Sequence, residues 1–141
     1  MFANSHFALA THVVTALAVR GDGPRVTSTD LAQSVNTNPA FLRTLLGQLR
    51  RAGLIEVALG KGGGARLARP ASKVTLADVY RAVEHRPPVQ IHRCPPSRRC
   101  IVGRNILPIL EVVVRDVESA AVDRLARTTV ADLAARVRRR G

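Results

Sequence analysis

Tryptophan is absent from this chain, and aromatic residues make up only 3% of it, with one tyrosine and three phenylalanines. So few ring faces argue against recognition of unpaired bases by stacking, the habit of single-strand and RNA readers. Acidic residues are few as well: 10 stand against 22 basic ones, for a net charge of +12. Lysine is nearly missing, since all the basic residues but Lys61 and Lys73 are arginine. Arginine suits bidentate contact with phosphates and guanine edges, so the imbalance favours a polyanion, and duplex DNA above others. No apolar run approaches the length of a membrane span, and the opening MFANSHFALATHVV lacks the basic lead of a signal peptide. A cytoplasmic protein with no membrane partner is expected. Catalytic patterns are missing too. No Ser/His/Asp order, no paired carboxylates in a glycine-rich cleft and no metal motif occur, so no enzyme is expected. Two cysteines with scattered histidines lack the pattern of a closed zinc site.

What is present centres on Thr27 to Leu67. Hydrophobic residues make up 46% of the 141, enough for the core of one ordinary domain with an appended helix. Thr27 with Asp30 three residues on has the form of a capping box, and Leu31, Ala32 and Val35 give the short helix that follows an apolar side. Asn36-Thr37-Asn38 makes a turn, and Asn38-Pro39 is a helix start with its cap and its first-position proline. Phe41, Leu42, Leu45, Leu46 and Leu49 then recur at helical spacing, with Gly53 as the stop. Arg43, Gln48, Arg50 and Arg51 remain on or beside the polar face, as a helix that reads a DNA groove requires. Ile55 to Leu59 reads as a strand, Gly60-Lys61-Gly62-Gly63-Gly64 as a turn and Ala65 to Ala68 as the return strand. Glycines around one lysine let backbone amides and a cation approach a phosphate closely. The nucleotide phosphate-loop alternative fails, because no Gly-Lys-Ser/Thr leads into a helix. A helix-turn-helix followed by a β-wing is the expectation.

The rest of the chain is helical in pattern, with one interruption. Residues from about 5 to 19 are apolar nearly all round, as in a buried helix, and Gly21-Asp22-Gly23-Pro24 ends it. Thr75-Leu76-Ala77-Asp78 opens another helix with Leu76, Val79, Tyr80 and Val83 on one face, ended by His85-Arg86-Pro87-Pro88. From about Asn105 runs the longest helix, with Ile106, Ile109, Leu110, Val113, Val117, Ala120 and Ala121 at helical spacing and Pro108 expected in its first turn. So much apolar helix asks for a second subunit as its cover. A last helix starts at Thr129, with Val130, Leu133, Ala134 and Val137 on one face, and Arg136, Arg138, Arg139 and Arg140 form a basic, solvated end.

These runs, LAQSVNTNPAFLRTLLGQLRRAGLIEVALGKGGGARLARP, then KVTLADVYRAVE, then a cysteine loop and a long helix, resemble the Rrf-two family of bacterial winged-helix transcription regulators, with its IscR-like and NsrR-like members. The resemblance covers nearly the whole chain in order. It implies a mainly α fold with a small β-wing: a winged helix-turn-helix domain over residues 1–85, a cysteine-containing loop over 86–104, and a dimerisation helix with a C-terminal helix over 105–141. It places Asn38, Ala40, Arg43 and Thr44 at the base-facing start of the recognition helix, and a basic wing residue in the minor groove. The family often has arginine before the first wing glycine and an aromatic after the last. Leu59 and Ala65 stand there instead, which leaves that part to Lys61 or Arg66.

The cysteine loop, IHRCPPSRRCIVGRN, keeps three readings open. Cys94 and Cys100 flank a stiff Pro95-Pro96 pair, and the neighbouring Arg93, Arg98 and Arg99 would favour thiolate, so a redox switch by disulfide is one. Structural or incidental thiols are the plainer one. The third is an iron–sulfur cluster, for which the resemblance implies three cysteines. The equivalent third position here is Ile106, so no cofactor is expected. Taken together, the residues predict a homodimeric, operator-binding transcription regulator, with repression implied by the resemblance alone. Asn38 and Arg43 are the base-contact candidates, and Arg50, Arg51, Lys61 and Arg66 the phosphate candidates. The alternatives are a thiol-based redox or metal-handling protein without an operator, and a nucleoid protein that binds DNA without sequence preference.

Overall fold

Side-chain caps set where four of the six described α-helices begin. The computed structural model describes residues 5–141. Among them the order is α1 (His6–Arg20), α2 (Ser28–Val35), α3 (Pro39–Arg51), β1 (Ile55–Ala58), β2 (Gly64–Leu67), α4 (Leu76–Val83), α5 (Ile101–Leu125) and α6 (Val130–Arg138). The Thr75/Asp78 and Thr129/Asp132 pairs both close reciprocal capping boxes at the starts of α4 and α6. The box expected at Thr27 is half built: its hydroxyl accepts from the Asp30 N–H at 3.1 Å, while the Asp30 side chain stays in solvent. At α3, Asn38 Oδ1 accepts from the Ala40 N–H at 2.8 Å, with Pro39 as the first helical residue. The fold is mainly α with one small antiparallel hairpin, as the sequence predicts.

The wing turns tightly because of its glycines. β1 and β2 pair with Ile55 opposite Leu67 and Ala58 opposite Gly64; β1 ends one residue earlier than read from sequence, and β2 is shifted one residue toward the turn. At Gly64 the backbone has φ +130°, and a Cβ would meet the Val26 carbonyl oxygen at 2.5 Å, so only glycine fits. That close approach lets Val26 and Ala65 exchange two backbone hydrogen bonds, of 2.9 and 2.8 Å, which add a third short rung beside the hairpin. This rung ties the chain just ahead of α2 to the wing. Sequence periodicity had no means to reveal it.

One apolar core holds these pieces. Leu42, Leu45, Leu46 and Leu49 of α3 are buried against Leu31 and Val35 of α2, Val13, Val14 and Leu17 of α1, and Val79 and Val83 of α4. Val130 and Ala134 of α6 join the same core. The C-terminal helix thus returns to α1, and its start is stitched to the start of α4 by Val130 N–H to Val74 O (2.8 Å) and Leu76 N–H to Thr128 O (2.9 Å). Two expectations for this end are corrected. Val137 is exposed, because α6 lays only its first turns on the core. Arg138 is not simply solvated: it donates to the Ala18 and Val19 carbonyls at 2.9 and 3.0 Å, where the C-terminus of α1 offers unpaired oxygens.

α5 stands apart. It begins at Ile101, four residues earlier than its sequence pattern suggests, with Cys100 as the cap. Pro108 therefore lies inside the helix rather than in its first turn; it is exposed, and its missing N–H leaves the Arg104 carbonyl without the usual helical bond. No residue of α5 is buried. Ile106, Leu110, Val114 and Leu125 are half-covered, while Ile109, Val112, Val113 and Val117 are exposed at 42–60%.

Candidate nucleic-acid interface

The polar face of α3 follows from the burial of the opposite one. With Leu42, Leu45 and Leu49 directed inward, helical geometry turns Ala40, Arg43, Thr44, Gly47, Arg50 and Arg51 outward along one stripe. Apart from half-buried Gly47, all are exposed. Arg43 Nε reaches the Pro39 carbonyl at 3.4 Å and Thr44 Oγ1 the Ala40 carbonyl at 3.3 Å, so both side chains lie back along the first turn. Asn38 is exposed beside them, with its Oδ1 already engaged as the cap. Two of the six sites read from the helix, Arg43 and Arg50, line a cleft of about 410 Å3 whose other wall is the wing.

The wing contributes backbone more than side chains. Leu59, Gly60, Gly63 and Gly64 line the same cleft, and Lys61 is exposed at the tip. Leu59 is 95% exposed, an unusual place for a large apolar side chain. Arg66 is placed differently from Lys61. It sits opposite Glu56 in the hairpin and pairs with it at 2.8 Å, and Arg25 reaches the same carboxylate at 3.8 Å. A phosphate would have to draw Arg66 out of this exposed pair, a weak one by its setting. The structure thus gathers Arg43, Arg50 and the wing backbone about one cleft, keeps Asn38, Ala40, Thr44 and Arg51 on the adjoining helix surface, and sets Arg66 aside.

Thr27 and Ser28 were missed as lining residues. Both border the cleft where α2 begins, so the unpaired amides and positive dipole end of α2 approach the groove between α3 and the wing. The signal was the Thr-Ser-Thr-Asp cap itself, read only as a helix start.

Cys94 and Cys100 are both exposed and free. The Cys100 thiol is lowered below the ordinary thiol range, chiefly by the backbone amide of Gly103 and then that of Val102. The cause is therefore the first turn of α5, not the arginines invoked from sequence. Gly103 is required there, since a Cβ would collide with the carbonyl oxygen of Ser97.

Comparisons with known proteins fit this geometry. The model of the Rrf2 (Rrf-two) family, described as iron-dependent transcriptional regulator, matches residues 3–136. The Bacillus subtilis (strain 168) protein YwnA, named as an HTH-type transcriptional regulator, is 28% identical over 92% of this chain and 95% of its own. A solved structure from Lactobacillus plantarum described as a transcriptional regulator superposes with a TM-score of 0.77 at 26% identity, covering 95% of this chain and 90% of that one. The oxidized form of Staphylococcus aureus CymR superposes with a TM-score of 0.68 at 27% identity, over 95% and 96% of the two chains. An iron–sulfur cluster does not fit the residues present. Two thiols fall short of a cysteine ligand set, and among the described residues no three of His, Cys, Asp and Glu come together as a metal site.

Proposed function

The chain belongs to the Rrf2 family of DNA-binding transcriptional regulators, which are not enzymes, and we propose that it works as a homodimeric repressor on an inverted-repeat operator. The observation that carries this reading is the pairing of an arginine-lined α3 face with a 25-residue α5 that leaves its apolar side uncovered. α5 is about 37 Å long at the standard rise, so two copies packed along it would hold two α3 helices on one side of a duplex. Asn38, Ala40, Arg43 and Thr44 then face base edges in the major groove. Arg50, Arg51 and Lys61 hold phosphates, assisted by the amides at Thr27 and Ser28 and by Arg66 once it leaves Glu56. The protein acts where its DNA is, in the cytoplasm.

Thiol control is the finer part of the proposal. Cys100, exposed and with its thiolate favoured by the start of α5, is the better nucleophile for disulfide formation or another reversible cap. The first turn of α5 would carry that change toward the proposed subunit contact. The deciding experiment titrates the protein against genomic fragments that include its own promoter, with the thiols reduced and then oxidised. Preferred binding that changes on oxidation, and stops responding in Cys100→Ser, supports the whole reading. Preferred binding indifferent to oxidation removes the thiol switch and keeps the regulator. Equal binding to all fragments would favour the nucleoid alternative.

A further inference from the structure

A second cleft, of about 1200 Å3, runs along the flank of α3 away from the wing. Phe7 of α1, Phe41 and Gln48 of α3, and Tyr80 of α4 form its inner wall; Arg86 and Arg93 of the loop after α4 stand at its rim. The volume exceeds that of most small-molecule pockets, and the lining is mixed: Val83 and Leu125 add apolar surface to the two phenylalanines, while His85 adds a polar group to those of Gln48, Tyr80 and the two arginines.

Two polar atoms of these wall residues are sealed from solvent and have no partner among the described residues: Tyr80 Oη and Gln48 Oε1. Gln48 uses its other amide atom at 3.3 Å from His85 Nε2, so exchanging the amide atoms would still leave one of them unpaired. Buried polar groups are nearly always satisfied, so these two orphans beside the cleft are groups that a small turn of their side chains would offer to an occupant. Phe7 meets Tyr80 edge-on, with ring centroids 6.1 Å apart, and holds the phenol in place. Burial, with Glu118 and Glu84 nearby, raises the Tyr80 pKa, so the hydroxyl stays a neutral donor. The rim carries Arg86 and Arg93, against one acidic residue, Glu84, among the described residues lining the cleft.

We propose that this cleft binds a small aromatic carboxylate bearing a hydroxyl or amino group, and that its occupancy controls DNA binding. The carboxylate pairs with Arg86 and Arg93, the ring lies between Phe7, Phe41 and the loop prolines, the ligand's donor satisfies Gln48, and Tyr80 donates to an oxygen of the ligand. Gln48 and Phe41 belong to the helix that presents Arg43. Leu125, at the far end of α5, lines the same cleft. An occupant therefore touches both the DNA-reading helix and the proposed subunit-pairing helix, and biases the angle between them according to its preference for one arrangement. The binding site stands on its own geometry; only its consequence rests on the regulator reading.

The test uses the full chain and two probes, 4-hydroxybenzoate and 4-aminobenzoate, with benzylamine as the cationic counterpart. The chain has one tyrosine, so tyrosine carbon-13 labelled at Cζ alone gives one signal, that of Tyr80. We expect saturable displacement of that signal by either benzoate, none by benzylamine, and matching calorimetric isotherms. The surface variant R86Q/R93Q should weaken binding by about tenfold or more, and Tyr80→Phe, which keeps the ring, should weaken it less. Saturating benzoate should change affinity for a preferred DNA fragment by about fivefold or more. A Tyr80 signal indifferent to both benzoates at millimolar concentration, or equally sensitive to benzylamine, overturns the site. So does undiminished affinity in R86Q/R93Q. Benzoate binding without any effect on selective DNA binding overturns the control; benzoate binding by a protein that prefers no fragment leaves the site standing and sinks the regulator reading instead.

Discussion

Arg43 and Cys100 carry the chemistry that single residues can be asked to explain. Arg43 is exposed on the first turns of α3, with its Nε donating to the Pro39 carbonyl at 3.4 Å. Arg43→Ala should cost about 1–3 kcal/mol of preference for the operator over unrelated DNA while leaving non-specific binding nearly intact. Parallel titrations of both DNAs measure the difference, and equal losses on both would move Arg43 to the phosphate group. Cys100 makes a pH prediction. Its folded-state pKa is depressed by the Gly103 and Val102 amides, so the folded chain forms thiolate at lower pH than the unfolded chain does. The associated stabilisation is fully present above the unfolded thiol pKa and fades as pH falls through the folded one. In a Cys94→Ser protein, the iodoacetamide reaction should therefore rise at lower pH when native than in urea. Superimposable profiles would remove the helix-start effect.

At the scale of elements, α5 and α3 make opposite demands. α3 buries four leucines and is held from behind, so Leu45→Ala should destabilise the fold by about 2–5 kcal/mol, read by denaturant unfolding. α5 buries none of its residues, and Val113 is 52% exposed. A Val113→Glu change should leave the folding of the winged unit intact and convert a dimer to a monomer in sedimentation, with loss of operator affinity as the paired half-sites are released. A dimer that survives the change would place the subunit contact elsewhere. The same contrast explains why the two helices were differently legible. Leucines at helical spacing announce α3 and its inner face directly. The start of α5 was misplaced because Cys100-Ile101-Val102-Gly103 contains a weak helix former and none of the usual capping side chains; the turn rests on the close approach of Gly103 to Ser97 and on bonds such as Arg104 N–H to Cys100 O at 3.0 Å.

For the whole molecule, charge decides the manner of binding. A net +12 held mostly by exposed arginines makes association with DNA steeply dependent on salt. Lys61→Ala should lower the slope of log affinity against log salt by about one and weaken all sequences alike. An unchanged slope would show that the wing tip does not reach the backbone.

The sequence by itself determined the order of the elements, the caps of α3, α4 and α6, the apolar faces of α2 and α3, the glycine-tipped wing and the basic surface, because each is written in local spacing. It also determined the family, whose order of motifs survives along the chain. Tertiary structure alone decided the rest. It placed Thr27 and Ser28 beside the wing, paired Arg66 with Glu56, returned α6 and Arg138 to α1, and left Tyr80 and Gln48 unpartnered in one cleft. Each of these depends on residues far apart in the chain meeting in space, as Arg138 does with Ala18, and no periodicity within a single element encodes such a meeting.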